Sequence, residues 1–419
     1  MNKIIISNVR IIDPENNTDK TGNIFIKNGV FSEPFDDNDV FIDGTGLCAA
    51  PGLVDLHVHL RDPGQTYKED IITGCKSAAA GGVTSLLAMP NTIPAVDTPE
   101  TVEYILDKAK NADAHVYVVG AITHDLKSKV PTDIDALRNA GISALSDDGK
   151  PVENTAFMAA AMKKAYELDI PVTAHCEDPY LAGGKVNEGI ISEMLGVKGM
   201  PAAAEDTGTA REIALAAAYG LPIHICHVST ATSANMIRDA KKRGVKVTAE
   251  TAPHYIMLTE KELEKRDADY RMNPPLRTEK DRLAMIEALC DGTIDAIATD
   301  HAPHSPDEKS DFVNAPNGSI GMETSFSASY TVLVKGGKMT LSQLIDKMSC
   351  TPAKILHINA GSLSIGKPAD LMLFDPTETW TVDPDKFHGK SKNSPFKGLT
   401  LTSKVKLTVC GGKIVFNEI

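Results

Sequence analysis

The sequence predicts an α/β fold in which a TIM-like (β/α)8 barrel carries a small β-sandwich domain formed by both ends of the chain. In the middle of the chain, short apolar segments alternate with helical ones, which is typical of a parallel sheet covered by helices. Eight such units in about 300 residues favour a closed barrel over an open doubly wound sheet. No GxGxxG sequence follows the first unit, which weakens a dinucleotide-binding alternative.

The two ends of the chain share a different pattern, with short alternating strands between polar or glycine-containing turns. These strands are predicted at residues 3–12, 23–31, 40–43, 369–374, 405–409 and 414–416. Because chain termini often lie close together, we expect both ends to build one domain. The expected division is a composite β-sandwich domain of residues 1–51 and 357–419 around a catalytic barrel of residues 52–356.

Composition argues against several classes of protein. A chain of 419 residues with 42% hydrophobic content can bury a large core, and its net charge of −13 argues against a nucleic-acid partner. No apolar run approaches the about 20 residues of a membrane span, and the first residues read as a strand rather than a secretory signal. Seven scattered cysteines without a CxxC pair fit a reducing compartment. We therefore expect a cytoplasmic protein.

The eight barrel strands are predicted from apolar runs bounded by turn or helix signals. They span residues 53–57, 83–88, 115–119, 142–145, 172–174, 223–226, 245–249 and 296–299. One helix start is well marked by Thr98-Pro99-Glu100, which combines a capping hydroxyl, a first-turn proline and an acidic residue. Because active sites of such barrels lie at the carboxyl ends of the strands, residues just after each strand are the candidates for function.

Histidines and acids accumulate at those carboxyl ends. His57 and His59 end the first predicted strand, and their spacing of two directs both rings to one face. His175 follows the fifth strand, His227 the sixth and Asp300 the eighth. Any one of these residues alone is more often structural, but the whole set predicts a zinc site. Six other histidines lack this arrangement and stay structural or undecided: His115, His124, His224, His254, His357 and His388.

A bridging anion for a two-metal site is expected after the fourth strand, where Asp147, Asp148 and Lys150 lie. Adjacent residues on an extended chain point apart, so only one of the two aspartates is expected to be a ligand. A carboxylated Lys150 is the competing bridge. It ranks lower because it lies beyond the strand end and after a glycine.

The motifs of the chain resemble the amidohydrolase superfamily and, within it, the class I dihydroorotases. The superfamily motif is Pro51-Gly52-Leu53-Val54-Asp55-Leu56-His57-Val58-His59. The motifs that point to class I dihydroorotases are His59-Leu60-Arg61, Met89-Pro90-Asn91-Thr92, Asn273-Pro274-Pro275-Leu276-Arg277 and Thr299-Asp300-His301-Ala302-Pro303-His304. The resemblance covers essentially the whole chain, in family order.

This resemblance implies two Zn²⁺ ions per chain, bridged by Asp148 and a hydroxide. One ion would be held by His57, His59 and Asp300, and the other by His175 and His227. Spacing to His175 favours Asp148 over Asp147, and the fourth strand lacks the bridging lysine of hydantoinases. The implied substrate contacts are Arg61, Asn91, Asn273 and His304.

One segment departs from the family pattern. Class I dihydroorotases usually carry a Pro-Phe-Gly stretch that touches the substrate, whereas this chain has Pro316-Asn317-Gly318. Backbone contacts from Asn317 and Gly318 to the substrate stay expected. The packing and closure of the loop are the open question.

The reaction that the resemblance implies is the reversible, zinc-dependent cyclisation of N-carbamoyl-L-aspartate to L-dihydroorotate in pyrimidine biosynthesis. Asp300 is expected to act as general base and then general acid, and Arg61 to grip a carboxylate. The family further suggests a homodimer and an association with aspartate transcarbamoylase. The alternatives are a hydantoinase or allantoinase, a catalytically inactive scaffold for aspartate transcarbamoylase, and a deaminase of the same superfamily, which the substrate motifs fit poorly.

Overall fold

The computed structural model describes residues 3–419 and begins with five strands. These strands are β1 (Lys3–Asp13), β2 (Thr18–Lys27), β3 (Val30–Phe31), β4 (Val40–Asp43) and β5 (Cys48–Pro51). Strand β1 is the centre of this group, since it pairs antiparallel with β2 on one edge and parallel with β4 and β5 on the other. The apolar side chains of β1 therefore anchor a sheet that continues beyond the N-terminal segment.

The middle of the chain forms a closed barrel of eight parallel strands. The strands of this region are β6 (Leu53–Val58), β7 (Val83–Ala88), β8 (His115–Gly120), β9 (Ala144–Leu145), β10 (Thr173–Ala174), β11 (Val186–Asn187), β12 (Gly199–Met200), β13 (Ile223–Ile225), β14 (Val247–Thr251) and β15 (Ala296–Ile297). Strands β11 and β12 form a separate small sheet. The other eight make two four-stranded sheets, which parallel bridges Leu145–Val172 and Val58–His301 join into a barrel.

Helices surround the barrel and connect its strands. They are α1 (Ile71–Ala80), α2 (Pro99–Ala109), α3 (Ile134–Ala140), α4 (Thr155–Glu167), α5 (Ile190–Leu195), α6 (Ala203–Tyr219), α7 (Ala231–Lys242), α8 (Pro253–Met257), α9 (Glu279–Cys290), α10 (Pro306–Lys309), α11 (Ser325–Ser329), α12 (Leu341–Ile345) and α13 (Thr351–Ile355). The predicted start of α2 is confirmed, with Pro99 as its first residue. None of the helices among residues 3–419 has the length and apolar character to cross a membrane.

Three C-terminal strands complete the terminal sheet: β16 (Leu371–Thr381), β17 (Thr400–Cys410) and β18 (Lys413–Asn417). Strand β16 pairs antiparallel with β5, so one eight-stranded mixed sheet contains strands from both ends of the chain. Its buried apolar side chains, such as Ile6, Leu371 and Leu407, form a core separate from that of the barrel. The predicted fold class is confirmed. We propose that the domain boundaries lie near 51/52 and 356/357, because β5 ends at Pro51 just before the first barrel strand and α13, the last helix, ends at Ile355.

Several strand limits differ from the expectations. The segment predicted as one strand at 23–31 is a hairpin, because Asn28 and Gly29 both adopt positive φ and turn the chain between β2 and β3. Strand β5 has no alternating pattern and was not predicted. Strand β14 begins and ends two residues later than predicted, which places Glu250 inside it.

Candidate metal centre and active site

His57, His59 and Asp300 come together where β6 and β15 end. Nε2 of His59 lies 3.1 Å from Oδ1 of Asp300, and Nε2 of His57 lies 3.7 Å from the same oxygen. All three side chains are buried. Asp300 has a φ of +47°, a left-handed backbone conformation that is uncommon for non-glycine residues. The three residues implied for one metal ion therefore share one centre.

The second predicted pair of ligands lies beside them. Nδ1 of His175, just after β10, is 2.9 Å from Nε2 of His227, which follows β13. The ring centroids of His57 and His227 are 5.0 Å apart, so the four imidazoles form one continuous cluster. His227 also has a positive φ, +36°. Chain positions that are up to 243 residues apart, from His57 to Asp300, thus meet at the carboxyl ends of the strands.

Asp148 occupies the middle of this cluster. Its Oδ1 lies 3.2 Å from Nε2 of His57 and 3.5 Å from both Nδ1 of His175 and Nε2 of His227, and its Oδ2 lies 3.5 Å from Nε2 of His59. A carboxylate in this position contacts both groups of ligands. This position fits the bridging role that is expected for Asp148 if metal ions bind to both groups of ligands.

The competing residues after β9 lie elsewhere. The Asp147 carboxylate accepts hydrogen bonds from the backbone N–H of Ile122 at 2.7 Å and of Thr123 at 3.0 Å, and from the Thr123 hydroxyl at 2.5 Å. Lys150 is exposed to solvent. Asp147 therefore fixes the loop that follows β8, and the cluster receives its carboxylate from Asp148.

The cluster fits a bound cation. Nε2 of His57, Oδ1 of Asp148 and Nε2 of His175 are buried without a hydrogen-bond partner among the described residues. Such groups are costly unless they are paired or bind a metal. Burial would by itself raise the pKa of Asp148, but the neighbouring His57, His175 and His227 hold that pKa well below its usual value. Imidazole nitrogens and carboxylate oxygens are the donors that zinc accepts.

Glu250 is a residue of this centre that the sequence did not reveal. Its Oε1 lies 3.1 Å from Nδ1 of His57, and its Oε2 lies 3.1 Å from Nε2 of His224. A carboxylate that accepts the Nδ1 proton of His57 leaves the Nε2 lone pair directed at the cluster. The signal in the sequence was a charged residue next to an apolar strand. The predicted strand ended at residue 249, just before Glu250, so Glu250 was not assigned to it.

Asn91 supports His59 in the same way. Its Oδ1 lies 2.7 Å from Nδ1 of His59, which places Nε2 of that ring toward Asp300. Because the side-chain oxygen of Asn91 is engaged by the ring, its amide N–H groups are the part available to a substrate. Asn91 thus supports His59 through its side-chain oxygen, and its Nδ2 lies beside Gly149.

Arg61 lies buried next to the metal ligands. Its Nε donates to the carbonyl of Pro303 at 3.2 Å, and it makes no ion pair within residues 3–419. Burial lowers the pKa of Arg61 to about 10, so the guanidinium stays charged near pH 7. A buried cation without an anionic partner is a ready receptor for a carboxylate.

His304 separates Arg61 from Lys68. Nε2 of His304 lies 3.0 Å from the carbonyl oxygen of Asn317, and Lys68 Nζ lies 3.4 Å from its Nδ1. A neutral ring that carries its proton on Nε2 satisfies both contacts. Burial, with the nearby charges of Arg61 and Lys68, lowers the pKa of His304 to about 3, which agrees with a neutral ring.

One of the contacts that hold the Asn317 loop is a hydrogen bond that a phenylalanine could not make. Oδ1 of Asn317 accepts a hydrogen bond of 2.9 Å from Arg271, whose backbone carbonyl accepts one of 2.9 Å from the N–H of Gly318. Lys309 donates to the carbonyls of Arg271 at 3.2 Å and Pro316 at 3.0 Å. A polar network therefore holds this loop and brings Asn317 and Gly318 to His304.

Asn273 is held by Glu177, whose carboxylate lies 3.8 Å from Nε2 of His175. Its Nδ2 donates to the Glu177 carboxylate at 2.9 Å, and its Oδ1 is buried without a partner in the described part of the chain. The free oxygen can accept an N–H group from a ligand. Glu177 was not predicted, although it lies two residues after His175.

Comparison with known sequences identifies the family. The family model described as Amidohydrolase family matches residues 48–415. Dihydroorotase from Geobacter metallireducens is 48% identical over 423 residues, covering 99% of this chain and 100% of its own length. The dihydroorotases of Acetivibrio thermocellus and Clostridioides difficile are 47% and 45% identical, each over 99% of this chain and 99% and 100% of their own lengths.

Solved structures support the fold. L-hydantoinase from Arthrobacter aurescens superimposes with a TM-score of 0.90 at 24% identity, covering 100% of this chain and 97% of its own. Dihydropyrimidinase from Brevibacillus agri gives a TM-score of 0.86 at 25% identity over 99% and 95% of the two chains. The dihydroorotase sequences have about twice the identity of these solved structures to this chain, so the dihydroorotases are the nearer relatives. The chain therefore belongs to the amidohydrolase family and, within it, to the dihydroorotases.

Proposed function

We propose that this enzyme interconverts N-carbamoyl-L-aspartate and L-dihydroorotate by forming and hydrolysing a cyclic amide. The observation that carries the proposal is the placement of the unpaired Arg61 guanidinium beside the buried cluster of histidines and aspartates. The cluster supplies the hydrolytic centre of a cyclic amidohydrolase. The guanidinium supplies recognition of a substrate that bears a carboxylate, which a simple hydantoin lacks.

The metal of the proposal is zinc, with two ions per chain. His57, His59 and Asp300 would hold one ion, His175 and His227 the other, and Asp148 would contact both. When bound, such ions polarise an amide carbonyl and lower the pKa of water toward about 7. The nitrogen and oxygen donors favour zinc over the oxygen-only environment that magnesium prefers.

Asp300 moves the proton in this mechanism. Burial would raise the pKa of Asp300, but the hydrogen bond from His59 and the charge of His57 lower it to about 2, so the carboxylate is ready to accept a proton at neutral pH. In the hydrolytic direction it takes a proton from the attacking water and delivers it to the leaving ring nitrogen. In the cyclisation direction the Asp300 carboxylate receives the proton of the attacking ureido nitrogen and delivers it to the leaving hydroxide, which departs as water.

The substrate is oriented by the polar groups around the centre. Arg61 and the amide N–H groups of Asn91 bind the carboxylate, as a planar fork and a neutral donor. The free Oδ1 of Asn273 accepts a ring N–H. The backbone groups of Asn317 and Gly318, positioned by His304, close the side of the ring away from the cluster.

The alternatives that the sequence left open have less support. Strand β9 contains no lysine, and Lys150 is exposed, so the carboxylated-lysine centre of hydantoinases has no residue here. An inactive scaffold does not need a metal centre, whereas all six candidate ligands of this chain lie around one point. The homodimer, the association with aspartate transcarbamoylase and the cytoplasmic location stay predictions from the sequence.

The test is turnover of L-dihydroorotate and of hydantoin, followed by ultraviolet absorbance. We expect turnover of dihydroorotate alone, its loss on treatment with a chelator, and its return with Zn²⁺. Preferential turnover of hydantoin would contradict the proposed substrate. Turnover that survives complete removal of metal would contradict the proposed centre.

A further inference from the structure

A second cluster of metal-binding side chains lies at the opposite end of the barrel. It consists of His115, the first residue of β8, Asp370, which precedes β16, and Cys410, the last residue of β17. One donor atom from each residue lies within 4.8 Å of the other two. Because His115 is at the amino end of its strand, this cluster is on the face of the barrel away from the active site.

The three side chains are already arranged around a common point. Nε2 of His115 lies 3.1 Å from Oδ1 of Asp370, and the same oxygen accepts a hydrogen bond of 2.7 Å from the N–H of Gly411. The thiol of Cys410 also makes a long contact of 3.6 Å with the carbonyl of Thr84. Zinc bonds of about 2.0–2.3 Å hold tetrahedral ligand atoms about 3.3–3.8 Å apart. Closure by little more than about 1 Å would therefore complete three bonds.

A fourth position is open to solvent. A cavity of about 640 Å³ borders His115 and Cys410. Asp370 and Cys410 are buried, whereas the His115 ring is 41% exposed at the cavity wall. Water in this cavity can supply the fourth ligand of a tetrahedral ion. Three protein donors of mixed type with one open position match the chemistry of zinc better than that of calcium or magnesium.

We propose that His115, Asp370 and Cys410 form a second zinc site, with water as its fourth ligand, that ties the barrel to the terminal sheet. His115 comes from the barrel, and the other two ligands come from the C-terminal strands of the sheet. The ion crosslinks two parts of the chain that are separated by 255 residues between His115 and Asp370. Its role is stability, since the site is remote from the reacting groups.

A proton competes with the metal for this cluster. The hydrogen bonds with Asp370 and Cys410 raise the pKa of His115 to about 10, and burial raises the pKa of the Cys410 thiol. Because zinc binds a neutral imidazole and a thiolate, its binding competes with protons at His115 and Cys410.

Cobalt substitution tests the site without reference to turnover. The full-length protein is stripped of metal, loaded with Co²⁺ and scanned for thiolate-to-cobalt charge-transfer absorption in the near ultraviolet. The donors proposed for the active site are nitrogen and oxygen, so they contribute no such band. We expect the band in the unaltered protein and its loss in Cys410→Ser, which also binds one zinc fewer per chain and keeps its turnover of dihydroorotate.

Cys226→Ser is the matched control. The Cys226 thiol lies near His57 and Glu250, so it is a cysteine close to the proposed catalytic metal site. It should keep the band. His115→Gln, which retains the thiol, should weaken cobalt binding at this site at least about tenfold and keeps the test available if Cys410→Ser fails to fold. Three results would each overturn the proposal. The unaltered protein could show no thiolate band, Cys226→Ser could lose the band instead of Cys410→Ser, or His115→Gln could bind cobalt with unchanged affinity.

Discussion

The Glu250 carboxylate lies 3.1 Å from Nδ1 of His57 and thereby decides which nitrogen of that ring faces the metal centre. The same carboxylate contacts Nε2 of His224, so three buried side chains form a continuous row inside the barrel. Neither Glu250 nor His224 contacts the reacting groups. Both act through the orientation of His57.

Glu250→Ala should weaken metal binding. Without the carboxylate, the His57 ring loses the partner that fixes its tautomer, and loss of such a partner lowers metal affinity by about 10- to 100-fold. Equilibrium dialysis against a zinc-buffering chelator measures the change. His224→Gln, which leaves the contact between Glu250 and His57 in place, should change the affinity less. Equal losses in the two variants would contradict this account.

Asp148→Asn and Asp147→Asn should fail in different ways. Asp148→Asn removes the central anion of the cluster, so we expect loss of bound metal and of turnover. Asp147→Asn keeps the metal but weakens the charge-assisted hydrogen bonds to Ile122 and Thr123, with a loss of about 1.5–3 kcal/mol in the free energy of unfolding. Metal analysis and denaturant unfolding separate the two outcomes. Normal metal content in Asp148→Asn would exclude it as the bridge.

Asp300→Asn should reduce turnover by about 10²- to 10⁴-fold, the usual contribution of a general acid–base residue. The amide keeps the shape of the side chain but cannot accept the proton, so the melting temperature of the zinc-loaded protein should change little. Initial rates in both directions measure the effect. A near-normal rate in either direction would remove Asp300 from the proton transfer.

Arg61→Lys should weaken binding of the carboxylated substrate by about 10- to 100-fold, because an ammonium group cannot reproduce the paired hydrogen bonds of a guanidinium. The comparison ligand is a dihydroorotate derivative whose carboxylate is replaced by a methyl ester. Its affinity should be low and similar for both proteins. An equal loss for the acid and the ester would place the effect on packing rather than on the carboxylate.

Lys309 should make the stability of the Asn317 loop depend on pH. Burial lowers the pKa of Lys309 to about 7, although Asp269, Asp267 and Glu308 nearby favour its charge. Above pH 7 the folded protein holds a neutral amine, whereas the unfolded chain stays protonated up to about 10.4. The unfolded state therefore binds more protons, and the free energy of unfolding should rise by about 1.4 kcal/mol per pH unit from pH 7.5 to 9.5.

Lys309→Met removes this contribution and serves as the reference. The difference in unfolding free energy between the two proteins cancels the groups that titrate independently of Lys309. Asp269, whose pKa burial raises to about 6, is ionised over most of this pH range. The difference should move in favour of the unaltered protein as the pH rises. A difference that stays constant over this range would show that Lys309 titrates normally.

The grouping of the candidate metal ligands could be predicted because its signal is local. A histidine or aspartate at the end of a barrel strand, or just beyond it, indicates the end of the barrel on which the side chain lies. His57 lies inside the end of β6 and His175 follows β10 at once, whereas His227 and Asp300 lie two and three residues beyond β13 and β15. The choice between Asp147 and Asp148 depended on a turn whose geometry is set by contacts with Thr123. Residues that are adjacent in the chain cannot reveal such contacts.

The residues that support the ligands were beyond the reach of the sequence. Glu250 and Asp55 are buried carboxylates inside barrel strands, and each is satisfied by a partner from a distant strand. Asp55 accepts hydrogen bonds from the Thr299 backbone and hydroxyl, at 3.0 and 2.6 Å. An error of two residues in the predicted end of a strand is enough to leave such a residue out of the strand. Glu250 was missed for this reason.

The pairing of β5 with β16 has a consequence for synthesis of the chain on the ribosome. Pro51 leaves the exit tunnel about 320 residues before its partner Leu371, which at about 5–20 residues per second is a delay on the order of tens of seconds. During that interval β5 exposes an open hydrogen-bonding edge. Nascent chains halted just after the barrel should therefore need a chaperone to protect this edge. Synthesis of the last three strands removes that need, because β16 then pairs with β5.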